Sequence, residues 1–129
     1  MPVPPGSGDR EFRSLIDHVV VPLARTYRPQ LLLISAGFDA HADDPLADCR
    51  VTDDGYAAMA RSLRDAAAGI GAPVGAVLEG GYALDALARS VAVTMGVLGG
   101  VDVADGAVGV AEVSGQALHR LEEFWPGLA

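Results

Sequence analysis

A single cysteine, Cys49, occurs in the 129 residues. An internal disulfide is thereby excluded, and so is a cluster of thiolate metal ligands. Cys49 reads as a small residue of a polar loop; a nucleophilic role would need a paired histidine, and none is evidently placed. Basic residues are few as well: 9 Lys and Arg stand against 17 Asp and Glu, a formal net charge of -8. Nucleic acid is a poor partner for such a chain, because phosphate binding needs clustered cations. The charge is compatible with a cationic substrate, although most acidic proteins are simply soluble. No stretch reaches the roughly 18 continuous apolar residues of a membrane helix. Met1 to Arg10 lacks the basic-then-apolar order of a signal segment, and the expected location is the cytoplasm. Aromatics make up only 5%, which leaves a core to be built from Ala, Val and Leu.

What is present is apolar and small. Half of the residues are hydrophobic, enough for one modest domain with a real core and against disorder over the whole length. Prolines and glycines forbid regular structure over Met1–Gly8, and Asp9 can cap the helix that follows. Phe12, Leu15, Ile16, Val19, Val20 and Leu23 recur at helical spacing between Arg10 and Tyr27. Pro22 should kink that helix or end its first section, and Pro29 should stop it. Leu31 to Ile34 is a short apolar run that reads as a strand buried on both faces. Thr52-Asp53-Asp54 caps a second helix, from about Gly55 to Ala68, which Gly69 and Gly71 end. Pro73 to Leu78 is a second buried strand. A third helix spans about Leu84 to Leu98, closed by Gly99-Gly100, and a last one runs from about Ala111 to Trp125 after a loop over Val101 to Val110.

No linker or internal repeat divides this order. Two strands joined by a helix make a right-handed unit with parallel strands, an α/β layer arrangement. Two doubly buried strands do not make a complete parallel sheet, because both outer edges stay unpaired. The chain therefore reads as part of a wider sheet.

Ligands of open α/β sheets bind beyond the carboxyl ends of the strands. The reactive residues there are Asp39, His41, Asp43, Asp44, Glu79 and Tyr82. Asp39 suits a mixed nitrogen and oxygen metal site, or else caps a backbone turn as loop aspartates do. His41 is a second ligand or a residue at the rim of such a site. Asp44, before Pro45, shapes a turn, and Asp43 is expected in solvent. Gly80 and Gly81 allow close approach of the backbone, but their spacing fits neither the Walker nor the dinucleotide pattern. Tyr82 is placed to donate to a developing oxyanion, or to plug the end of the sheet.

Ser35-Ala36-Gly37-Phe38-Asp39-Ala40-His41 with Asp43-Asp44-Pro45-Leu46, and Leu78-Glu79-Gly80-Gly81-Tyr82 about forty residues later, resemble the histone deacetylase family. The likeness is greatest to bacterial acetylpolyamine amidohydrolases and class II deacetylases. Val3 to Asp9 is similar to the loop before their helix, and Glu123 to Pro126 to their closing helix, so the resemblance covers nearly the whole chain. It implies the arginase-deacetylase fold, a three-layer α/β/α arrangement on a parallel sheet. Residues 1–129 would form a partial, two-stranded C-terminal segment of that domain. It further implies that Asp39 is one of three zinc ligands, that Tyr82 polarises the acetyl carbonyl, and that Gly80 and Gly81 line the acyl channel. Phe38 and His41 would sit at the rim or behind the ligands; the position of His41 varies in the family, and no ligand role carries onto it. The implied reaction is hydrolysis of an N-acetyl amide on lysine or a polyamine, a non-peptide C–N bond.

The family takes its other two zinc ligands from an Asp-x-His motif and its general base from a His-His pair, both upstream of the matched region. The only Asp-x-His here is Asp39 to His41 itself; the remaining histidines are His18 and His119, and no His-His pair occurs. The expectation is a deacetylase segment that is inactive alone: a truncated product, a mis-called start or one piece of a split enzyme. A complementing N-terminal segment or a second copy would be its partner. The alternatives are a non-catalytic module pairing through its open sheet edge, and a small phosphate-binding domain using Gly80-Gly81. Purified residues 1–129 are predicted to show no zinc-dependent amide hydrolysis; hydrolysis that Tyr82→Phe abolishes would overturn this.

Overall fold

The structure, a computed structural model, describes residues 1–104 and 106–128. Its first helical rod joins α1 (Asp9–Leu15) to α2 (Val21–Tyr27) through a π-helical turn over Ile16–Val20. The α-helical first section ends at Leu15, as Pro22 led one to expect, but the helix is carried on through the π turn. Pro22 has no N–H for the carbonyl of His18, and its ring would crowd that carbonyl in an α-helix. The Val21 N–H instead reaches back to the Ile16 carbonyl, and the widened turn lets the helix run on. Arg28, left-handed at φ 53°, closes α2. The cap of α1 is Gly8, whose N–H is held by the Glu11 carboxylate at 3.0 Å. Asp9, expected in that role, is the first helical residue. Its carboxylate crosses to Thr52, accepting from the backbone N–H at 2.8 Å and the hydroxyl at 2.7 Å.

Strand β1 (Leu32–Ala36), helix α3 (Asp53–Ile70) and strand β2 (Val74–Leu78) form the parallel unit, in register from Leu32 with Val74 to Ala36 with Leu78. Thr52 caps α3 by accepting the Gly55 N–H at 3.1 Å. Gly71 ends it at φ 73°, while Gly69 lies within the helix rather than ending it. Helix α4 covers Leu84–Leu98 as expected. Helix α5 covers Glu112–Leu121 and stops short of Trp125, the chain turning tightly from Glu122 onward. Of the loop expected over 101–110, Asp105 lies outside the described residues; the described remainder carries no helix or strand.

The core is built on small residues. Ala57 and Ala60 of α3 meet Val97 of α4, with Val93, Leu98 and Val103 packed around them. A second cluster joins Ala36, Phe38, Val51, Tyr56 and Met59, and the rod contributes Phe12 and Ile16 to it. Burial on both faces of the strands is not realised. Ile34 and Ala36 face the helices, but Leu33 is 60% exposed and Val77 48%. Alternate residues of a strand point to opposite faces, and no described element covers the second one. An apolar cavity of about 220 Å³, lined in part by Phe12, Ile16, Ile34, Met59 and Leu63, lies beneath β1.

The stretch before α5 is tied back to α1. Ser14 Oγ accepts the Ala111 N–H at 2.8 Å and shares a hydrogen bond with Ser114 Oγ at 2.8 Å. Both serines are fully buried. His18 Nε2–H donates to the Val108 carbonyl at 2.7 Å, and Arg13 donates to that of Gly106. Ser14→Ala leaves a buried amide and a buried hydroxyl short of a partner, a loss of about 1–3 kcal/mol each where no water replaces it. The expected result is a lower urea midpoint with an unchanged m value.

Candidate active site

The parallel register sets the site. Because Ala36 pairs with Leu78 at the carboxyl ends of both strands, the segments Gly37–Asp44 and Glu79–Tyr82 leave the sheet side by side. Backbone bonds continue the pairing: Glu79 N–H donates to the Ala36 carbonyl at 3.0 Å and Phe38 N–H to the Gly80 carbonyl at 2.8 Å. Phe38 turns inward, buried against Tyr56 with ring centroids 5.0 Å apart. Asp39 next to it lies in a slot left by two glycines. A Cβ on Gly37 would come within 2.9 Å of Asp39 Oδ1, and one on Gly80 within 3.3 Å of the same atom. Gly81, at φ 138°, takes a backbone conformation that favours glycine.

His41 points away from that slot. Its ring is buried and lies parallel to Tyr56. Nδ1 accepts the Asp43 N–H at 3.0 Å, which leaves the proton of the neutral ring on Nε2, 3.2 Å from Asp53 Oδ1. Asp53 also accepts from Arg89 Nε at 2.8 Å and Ser90 Oγ at 3.2 Å. Burial pushes the Asp53 carboxyl up, but the hydrogen bonds from Arg89 and Ser90 outweigh it and hold the pKa below the ordinary carboxylate value. The Asp53 and Asp43 carboxylates in turn raise that of Arg89. Asp43, expected in solvent, is exposed but ion-paired to Arg89 at 3.1 Å. Neither Asp53 nor Arg89 stands out in the sequence as a site residue, because nothing local pairs positions 36 apart.

Asp44 does shape the expected turn, accepting the Leu46 N–H on Oδ1 at 2.9 Å. Its other oxygen reaches the second loop, accepting the N–H of Tyr82 at 2.7 Å and of Ala83 at 3.3 Å. Tyr82 itself is 57% exposed, and Glu79 is exposed. Partial burial pushes the Cys49 thiol up, and the carboxylates of Asp48 and Asp39 push the same way, so it is a neutral thiol rather than a thiolate nucleophile.

Among the described residues, no group of three His, Cys, Asp or Glu comes together to hold a metal ion. Both ring nitrogens of His41 are engaged inside the protein, and Asp39 stands as a single donor. A catalytic zinc takes three protein ligands, and the described residues of this chain do not make that set.

The arrangement is that of an α/β domain with its reactive residues beyond the carboxyl edge of a parallel sheet. The chain belongs to the histone deacetylase family: the histone deacetylase domain model matches residues 1–98. Histone deacetylase 10, chloroplastic, of Oryza sativa subsp. japonica is 43% identical over 95 residues, which cover 73% of this chain and 21% of that protein. Histone deacetylase 15 of Arabidopsis thaliana is 36% identical over 132 residues, covering 96% of this chain and 23% of that protein. The crystal structure of the HDA15 HD domain superposes with a TM-score of 0.81 at 36% identity, over 95% of this chain and 33% of that one. The histone deacetylase Clr3 gives 0.80 at 27% identity, over 96% of this chain and 21% of its own. The chain thus spans between a fifth and a third of these relatives.

Burial pushes the Asp44 carboxyl up, but amide hydrogen bonds from Tyr82, Leu46, Ala83 and Ala47 prevail and lower its pKa below the ordinary value. A carboxylate depressed on folding stabilises the fold above its unfolded pKa, about 4, and loses that contribution as pH falls through the folded value. Asp44→Asn is therefore expected to lower the denaturation midpoint at pH 7. The gap to the wild type should close below about pH 4, as followed by urea unfolding across pH.

Proposed function

We propose that residues 1–129 supply Asp39 and Tyr82 to a zinc-dependent deacetylase site that residues outside this segment complete. The observation that carries the reading is the stitching of two loops on one sheet edge, with the Asp39 carboxylate in a glycine slot and the Tyr82 backbone held by the same loop. Asp39 is one ligand of the zinc, and the remaining ligands and the general base are not drawn from this chain. The Tyr82 phenol donates a hydrogen bond to the oxygen of the acetyl carbonyl, where negative charge develops on attack by water. Gly80 and Gly81 line the acyl channel with their backbone. The substrate is an N-acetyl amide on lysine or a polyamine, and the products are acetate and the free amine. Residues 1–129 alone are inactive on this reading, since the base that activates water lies elsewhere.

The uncovered sheet face supports a second reading, a non-catalytic module that binds another chain. Leu33 and Val77 present apolar surface there, of the kind that marks an interface. A complementing segment and a second copy of the chain are the two partners considered.

Complementation tests the first reading. Residues 1–129 joined to the segment that precedes the matched region in a histone deacetylase relative should hydrolyse an acetyl-lysine peptide or an N-acetylpolyamine. Tyr82→Phe should lower kcat by about 10²–10³, the usual loss on removing one oxyanion donor. Equal turnover in the Tyr82→Phe form would refute the oxyanion role, and a stable complex without hydrolysis would favour the binding module.

A further inference from the structure

We propose that Asp44 is the positioning residue for Tyr82, its carboxylate setting where the tyrosine stands relative to Asp39. This rests on the reading of Tyr82 as the oxyanion donor. The bond from the Phe38 N–H to the Gly80 carbonyl at 2.8 Å stops two residues short of Tyr82. It follows Gly80-Gly81, with Gly81 in a glycine-favouring conformation, so the link to β2 is permissive. Its side chain is 57% exposed and belongs to none of the buried clusters, so core packing does not fix it. Ala83, the N-cap of α4, has no side-chain oxygen to offer the start of that helix. Asp44 Oδ2, 38 residues from Tyr82 in the chain, accepts from both Tyr82 and Ala83. A carboxylate at the start of a 15-residue helix is favoured by the helix dipole as well as by the hydrogen bonds.

Asp44 is itself held from several sides. Its other oxygen takes the Leu46 N–H, and its own N–H donates to the His41 carbonyl at 2.9 Å. His41 is buried and bonded to Asp53, which Arg89 and Ser90 of α4 hold in turn. The ring of contacts returns to the helix whose start Asp44 binds. One short loop therefore carries Asp39 in its slot and, five residues later, the group that holds Tyr82. The spacing between the two is then set by the Asp39–Asp44 loop together with the bond from Phe38 to Gly80. Asp44→Asn is the informative change: an amide oxygen can still serve Leu46, but its NH2 then meets the donors of Tyr82 and Ala83.

The test labels the full chain with 3-fluorotyrosine, which places reporters at Tyr27, Tyr56 and Tyr82, and compares wild type, Asp44→Asn and Asp44→Asn with Ala83→Ser. Asp44→Asn should shift the Tyr82 fluorine resonance alone and speed amide exchange at Tyr82 and Ala83 by about tenfold or more, with the amides of β1 and β2 unchanged. Ala83→Ser supplies a local cap to α4 and should recover stability without returning the Tyr82 resonance. An unmoved Tyr82 resonance in Asp44→Asn overturns the proposal. So does a resonance that returns once the helix is recapped, because Asp44 would then be a cap only. The kinetic comparison under complementation is separate. If Tyr82→Phe keeps full turnover, the oxyanion role fails while the spectroscopic result stands. If Tyr82→Phe loses turnover and Asp44→Asn keeps the wild-type kcat, the oxyanion role holds and the positioning role fails.

Discussion

Parallel pairing of β1 with β2 is the constraint on which the rest depends. Parallel strands need a crossover, and here α3 provides it, packed on α4 through alanines. The same direction of both strands sends both of their carboxyl ends to one edge. An antiparallel pair with the same side chains would carry Asp39 and Tyr82 to opposite ends of the sheet. Register then matters as much as direction: with Ala36 opposite Leu78, the backbone bonding continues past the strands through Phe38 and Gly80.

Once the loops meet, glycine and carboxylate divide the work. Gly37 and Gly80 leave space beside the Asp39 carboxylate that a Cβ at either position would crowd. Asp44 and Asp53 then use their charge inside the protein, each accepting several donors and each held below the ordinary carboxylate pKa despite burial. Acidity that looks merely solubilising in the composition is thus partly structural. The rim of the site is built from aspartates whose partners are backbone amides, an arginine, a serine and a histidine.

The uncovered face of the sheet has a counterpart in the length of the chain's relatives. The histone deacetylase relatives extend well beyond the matched span. A domain made of layers buries its sheet on both sides. Leu33 and Val77 suit such a layer, and they stay exposed where no described element supplies it.

The helices and strands were legible almost throughout, because periodicity, Pro and Gly act locally: α4 matches its expected span, and Thr52 caps α3. The rod across Pro22 was not, since a π turn depends on carbonyls a full turn away. Nor was the true length of α5, whose end no proline marks. In the site, the motif residues Asp39, Gly80, Gly81 and Tyr82 could be named from sequence, and the parallel unit could be expected to bring them to one edge. The turn at Asp44 was legible too, but its hold on Tyr82, and the links of His41 and Arg89 to Asp53, were not, because their partners lie farther along the chain. The sequence by itself determined the elements, the α/β class and the family. Only the tertiary structure decided that His41 faces α3 instead of the Asp39 slot and that Asp44 holds Tyr82, because a hydrogen bond is set by distance and direction in space, to which sequence separation gives no guide.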